Sequence, residues 1–185
     1  MIIFNYDRCI EQYLCCALQQ HYRLAEPEAS ELVKNINIFH PYGSVGTLPW
    51  IDPNGAVKFG SEPGTEQLIH LVKQIKTYTE GTDPKSSRRD DIRERMCNAN
   101  KLIFLGFAFH TLNMELMQPE AIDIKESGSK ELDCFATTYK ISKSDQEVIK
   151  IQIHALYSGL RSINMRKADL ECSNFFQEFW RSLAF

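Results

Sequence analysis

Residues 102–113 read Leu102-Ile103-Phe104-Leu105-Gly106-Phe107-Ala108-Phe109-His110-Thr111-Leu112-Asn113. Four consecutive apolar residues, stopped by a glycine, suit a strand buried on both faces. Such strands occur where helices cover each side of a parallel sheet. The stretch therefore predicts a central parallel strand ending at Gly106, followed by a polar segment, and with it an α/β layered fold.

The pattern outside this stretch agrees. Ile2 to Asn5 is a β-branched and aromatic run that reads as a strand. Asp7 then caps a helix whose apolar positions Ile10, Tyr13, Leu14, Ala17 and Leu18 fall at helical spacing. A second helix starts at Glu26-Pro27, with proline in its first turn, and runs to Asn35. The chain returns to a strand at Ile36 to Phe39. Between His40 and Val57 stand six glycines or prolines, too many for a regular element, so this segment reads as a surface loop ahead of a short strand at Val57 to Gly60. Helical spacing resumes at Leu68, Ile69, Val72 and Ile75. After a break at Gly81 to Pro84 a charged helix covers residues from about Lys85 to Ala99. Beyond Gln118 the reading gives an exposed turn at Ile124 to Lys130, a strand at Asp133 to Lys140, a helix from Ser144 to Leu156 and a terminal helix from Ser173 to Leu183. In that last helix Phe175, Phe176, Phe179 and Trp180 form the core face. Trp50 packs under the loop after His40.

At 185 residues, 43% of them hydrophobic, the chain is long enough for one sizeable core, and a single domain over 1–185 is expected, with 142–185 as its helical C-terminal extension. The 21 basic and 24 acidic residues are interspersed and the net charge is -3, which disfavours nonspecific attraction to nucleic acid or anionic membrane. No apolar run approaches the roughly 20 residues of a membrane-spanning helix. The opening Met1-Ile2-Ile3-Phe4 lacks the basic start and cleavage site of a secretory signal, so a cytoplasmic protein is expected. Of the six cysteines only Cys15 and Cys16 are neighbours, and the set reads as reduced, mostly buried thiols with no metal bound.

Three polar segments stand at the ends of the expected parallel strands, where ligands of open α/β sheets lie. They are Phe4-Asn5-Tyr6-Asp7, Ile38-Phe39-His40-Pro41-Tyr42-Gly43-Ser44-Val45-Gly46, and the stretch ending in Asn113. Each has a plain structural alternative. Asp7 suits an Asx turn and helix cap, a lone histidine is more often structural than catalytic, and one glycine after a strand is a weak signal. Taken in order, the three segments resemble successive motifs of the sirtuin-like (SIR2-like) family: an Asn-x-Asp strand end, a His-Gly loop and a glycine-ended strand. The resemblance covers roughly residues 1–141 and is closest to the prokaryotic branch.

That resemblance implies a partial Rossmann-like, mostly parallel sheet flanked by helices and a site for NAD. It implies catalytic roles for Asn5 and His40 at the nicotinamide ribose, contact of Asp7 with the nicotinamide amide, and cofactor binding by Gly43, Gly106, Phe107 and Asn113. With water as acceptor the implied reaction is hydrolysis of NAD to ADP-ribose and nicotinamide. Two features of the family are missing. The glycine-rich turn that cradles the pyrophosphate at a helix N-terminus has no counterpart before Asn5, so the resemblance is to an N-terminally truncated domain. Only Cys97 lies between His40 and Gly106, where deacylase members carry a four-cysteine zinc module, so a structural zinc and protein deacylation are both disfavoured. The alternatives are a non-catalytic nucleotide-binding or interaction module and a degenerate remnant. In a remnant the first strand would be an uncovered sheet edge, which invites a second copy or a partner chain.

Overall fold

The computed structural model describes residues 1–54, 56–76, 87–120, 131–157 and 161–184. Gly55, the break at Gly81 to Pro84, the start of the charged helix at Lys85 and the turn at Ile124 to Lys130 lie outside them. The chain divides into two compact units, Met1–Arg88 and Arg89–Phe185.

In the first unit α1 spans Cys9–Tyr22, α2 spans Glu26–Lys34 and α3 spans Thr65–Val72. Arg23, at φ 56°, ends α1 in the left-handed conformation. At the start of α2 the Glu28 carboxylate accepts the Ala25 N–H at 3.0 Å, satisfying one of the donors a helix start leaves free. Cys15, Ala29 and Val33 form the centre of this unit's core, with Leu14, Leu18, Leu24, Ile38 and Trp50 packed against it. Trp50 is thus held by the α1 and α2 cluster.

The face that α1 buries matches the expected one only in part: Leu14 and Leu18 pack against the core as expected. Ile10 and Tyr13 are exposed, whereas Arg8, Glu11 and Cys15 are buried. The strands expected at Ile2 to Asn5 and Ile36 to Phe39 shrink to one parallel bridge, Ile2 to Phe39, and Val57 to Gly60, expected as a strand, is not one; a bridge between Thr47 and Ala56 lies just ahead of it. Single short parallel pairings without a flanking strand do not build a ladder, because parallel pairing is weak per residue and gains strength from neighbours.

Helix α4 (Ser87–Asn98) belongs to the second unit from Arg89 onward, and that unit also holds β1 (Lys101–Phe104), α5 (Thr111–Met117), β2 (Leu132–Thr137), α6 (Lys143–Leu156), β3 (Ile163–Ala168), α7 (Cys172–Glu178) and α8 (Trp180–Ala184). The three strands are all parallel, in the order β1-β2-β3, and with the helices they make an α/β fold. The central strand is β2, whose Leu132, Cys134, Phe135 and Ala136 are fully buried. Burial pushes the Cys134 thiol up to about 12, so it stays an unreactive packing group. The stretch that suggested a central strand is β1, which among the described residues pairs only with β2, leaving Ile103 and Leu105 exposed. An apolar run marks a strand without telling a buried central position from a part-exposed edge one.

Phe135 meets Phe179 at 5.3 Å and the Arg166 guanidinium lies 5.3 Å from its ring centre, so Cys134 and Ala136 point to the other face. Helix α6 begins at Ser142, whose Oγ accepts the Asp145 N–H at 3.1 Å, and buries Ile149, Ile153 and Leu156. Two long-range bonds cap the carboxyl end of α4: the Tyr157 hydroxyl donates to the Met96 carbonyl at 2.7 Å, and Arg161 Nη1 donates to the Cys97 carbonyl at 3.1 Å.

Residues 142–185 are not a purely helical extension, because they include β3. Its residues are all half-buried and it alternates poorly, which hid it in the sequence. The expected terminal helix is two pieces meeting at Phe179, and Trp180 is exposed (65%), as is Phe176, while Phe175 alone is fully buried.

Replacing Phe135 by Ala should cost about 3–5 kcal/mol, whereas Ile103→Ala, at an exposed position of β1, should change stability by no more than about 1 kcal/mol. Urea unfolding of the two variants followed by circular dichroism compares them directly. Equal losses would contradict the placement of β2 at the centre.

Candidate functional site

The Ile2 to Phe39 bridge runs parallel, with Ile3 N–H donating to the Phe39 carbonyl at 2.8 Å and Phe39 N–H to the Met1 carbonyl at 2.9 Å. Both segments therefore leave the bridge in the same direction, and Asn5 and His40 come out side by side. His40 Nδ1 lies 3.0 Å from the Asn5 carbonyl oxygen. The next residues open α1. Asp7 Oδ1 accepts the Cys9 N–H at 3.0 Å, and Glu11, one turn into the helix, places Oε1 2.7 Å from His40 Nε2.

The loop after His40 is tied to this start of α1. Val45 N–H donates to the Tyr6 carbonyl at 2.8 Å, and the buried Arg8 donates through Nη1 to the carbonyls of Thr47 at 3.0 Å and Val57 at 2.6 Å. Gly43 closes a turn onto the His40 carbonyl at 3.1 Å, at φ +79°. A Cβ there would stand 1.9 Å from the Gln74 carbonyl oxygen, so the loop requires glycine for conformation and for space.

The electrostatics of the cluster favour charge on both partners. Burial alone lowers the tendency of His40 to hold a proton. The hydrogen bonds that the ring donates to Glu11 and to the Asn5 carbonyl, with the negative charges of Glu11 and Asp7, outweigh it, and the imidazole is held above its ordinary range. Burial is the largest influence on Glu11 and pushes it up, but the bond to His40, a backbone hydrogen bond and the His40 charge together outweigh it, and the carboxylate ends below its usual range. Asp7 is held low, first by the Cys9 backbone N–H, with the Asn5 side chain contributing less. When His40 is protonated it forms a shielded ion pair with Glu11, their side chains 10% and 8% exposed. Among the described residues the second carboxylate oxygen, Glu11 Oε2, is buried and has no hydrogen-bond partner.

Of the residues singled out from sequence, Asn5, Asp7, His40 and Gly43 stand together in the first unit. Asp7 carries out the plain role as well, since its bond to Cys9 is the Asx turn. Gly106, Phe107 and Asn113 belong to the second unit. Gly106, at φ +56°, ends β1 and donates its N–H to Thr137 Oγ1 at 2.9 Å. Phe107 packs between the rings of Phe104 and Phe109, at 5.4 and 5.1 Å. Asn113 lies in α5, a short helix in the stretch expected to be an irregular polar segment, with His110 as its N-cap. Among the described residues no group of three or more His, Cys, Asp or Glu is placed to hold a metal ion, and no helix is long and apolar enough to cross a membrane.

Sequence reasoning missed Arg8 and Glu11. The signal was present: Arg8, Glu11 and Cys15 are three and then four residues apart, one helix face, and two of them are charged. Comparison with family models, curated proteins and solved structures finds no match to the chain.

Two expectations follow. Gly43→Ala should destabilise the first unit by about 2 kcal/mol or more. Gly60→Ala, equally left-handed at φ +76° but with open space around it, should cost only about 1–2 kcal/mol; chemical denaturation separates the two, and a smaller loss at Gly43 would contradict the packing against Gln74.

The second concerns pH. His40, held high, adds stability that is complete below the ordinary imidazole range and is lost as pH rises through its raised value. Glu11 and Asp7, held low, add stability that is complete above the ordinary carboxylate range and is lost as pH falls through their lowered values. The first unit should be most stable between those limits. Urea midpoints measured across pH should show both limbs, and His40→Ala should flatten the alkaline one.

Proposed function

We propose that this chain carries the nicotinamide-ribose side of a SIR2-like, NAD-cleaving site within a partial Rossmann-like fold, with Asn5 and His40 at the reacting bond. The observation that carries the reading is the meeting of Asn5 and His40 where two parallel segments end, with Asp7 and Gly43 on the same two loops. Ligand crevices of α/β proteins lie outside such ends. Departure of nicotinamide leaves positive charge on the ribose, and a site with acidic groups beside it favours that charge. Asp7 and Glu11 supply them. His40 takes a proton from the attacking water, so that NAD and water give ADP-ribose, nicotinamide and one proton. Asp7 orients the nicotinamide amide. Gly43 allows close approach of backbone to the ribose.

A second reading is favoured by one observation. Both ring nitrogens of His40 already face protein acceptors, which is what a purely structural clamp in a non-catalytic nucleotide-binding or interaction module would show.

The test is nicotinamide release from NAD by the purified full chain, followed by chromatography at NAD concentrations up to about 1 mM, the upper end of common KM values. His40→Ala and Asn5→Ala should each reduce release by about 100-fold or more. Binding of NAD without cleavage would support the module instead. Absence of binding would reject both nucleotide readings.

A further inference from the structure

An imidazole between two hydrogen-bond acceptors faces a constraint. Protonated, it donates from both nitrogens and satisfies both acceptors; neutral, it has one N–H and one lone pair, and the lone pair must face an oxygen. His40 is in that position, with the Asn5 carbonyl at Nδ1 and the Glu11 carboxylate at Nε2. The two acceptors are unequal. A carboxylate is the stronger one, and it is the closer, 2.7 Å against 3.0 Å.

We propose that Glu11 is the positioning residue of His40: it retains the Nε2 proton and makes Nδ1, the nitrogen beside Asn5, the atom at which His40 gives and takes a proton. The inference deepens the reading of His40 as the proton-transferring group of the site and takes its functional meaning from it.

The surroundings make the pair rigid. Glu11 sits in the first turn of α1, where the helix dipole favours a negative side chain. The start of that helix is pinned by Arg8 to the carbonyls of Thr47 and Val57 and by Asp7 to Cys9. On the other side, the residue before His40 is fixed by the Phe39 hydrogen bonds. A base held by a third, buried group is the arrangement that gives an imidazole a defined tautomer. The charged groups acting on His40 are Glu11 and Asp7; Asp7 also acts on Glu11, as does Arg8 from the residue preceding the helix.

When the imidazole loses a proton with Nε2–H held by Glu11, the Nδ1 lone pair is left against the Asn5 carbonyl, an unfavourable contact. A hydroxyl or water entering at Nδ1 and donating to that lone pair relieves it. Binding of such a group is thereby coupled to release of the Nδ1 proton to solvent.

Glu11→Gln tests this sharply. The carboxamide can donate to Nε2, so neutral His40 satisfies both neighbours by placing its own proton on Nδ1 toward Asn5. The full-length protein, labelled with nitrogen-15 at histidine, is titrated by NMR, with His40 assigned from the spectrum of His40→Ala. In the wild type His40 should titrate above free histidine and retain its proton on Nε2 when neutral. In Glu11→Gln the midpoint should fall and the neutral tautomer should move to Nδ1. An unchanged midpoint and tautomer in the variant would overturn the proposal. So would a neutral wild type with its proton on Nδ1, a result that needs no variant to fold. Where NAD cleavage is measured, the acidic limb of kcat/KM should shift to lower pH in Glu11→Gln. The NMR outcome is independent of NAD, so loss of the NAD reading and loss of this one are separate results.

Discussion

Two backbone hydrogen bonds, from Ile3 to Phe39 and from Phe39 to Met1, bring the opening residues alongside residues 36–39, and the arrangement around His40 depends on them. They align the two segments in parallel, so that the chain ends both at the same level. One segment turns into α1 and brings Asp7, Arg8 and Glu11; the other turns into the loop and brings His40 and Gly43. A polar cluster built from residues far apart in sequence follows from one short pairing. The cost of such a slight foundation is offset by Arg8, which binds the start of α1 to two loop carbonyls.

The buried stripe of α1 carries most of the chemistry in this unit. Turning Glu11 of α1 and the preceding Arg8 inward while exposing Tyr13 gives up apolar burial at those positions. Burying a carboxylate is costly unless it is paired, and the partner is His40. Natural sequences depart from the local rule of apolar side inward mostly where a site or a strained feature requires it.

The sequence was informative where one physical rule dominates. Helix α2 was legible from Pro27 in the first turn and the end at Asn35, and α6 from regular spacing through Leu156. The parallel strands β1 and β2 were visible from their apolar runs, although their order in the sheet was not, because order is decided by pairing between distant segments. Strand β3 was missed because each of its residues is half-buried, with Arg166 and Lys167 among them, so alternation is faint. In the site, Asn5, Asp7, His40 and Gly43 were readable as polar groups at strand ends. Glu11 was hidden by the assumption that Ile10 and Tyr13 mark the buried face. Its role depends on the approach of His40, 29 positions away, which no local window contains.

The caps on the carboxyl end of α4 bear on the order in which the chain is made. Met96 and Cys97 receive their hydrogen bonds from Tyr157 and Arg161, and Phe175 and Phe179 reach the central strand from near the C-terminus. During synthesis the first unit has all its described elements available once residue 76 has emerged. The second must wait for nearly its whole length, with the apolar surface of β1 and β2 uncovered meanwhile. A chain elongating from the ribosome therefore completes the His40 cluster early and passes through a stage in which its second half is the part that needs protection from aggregation.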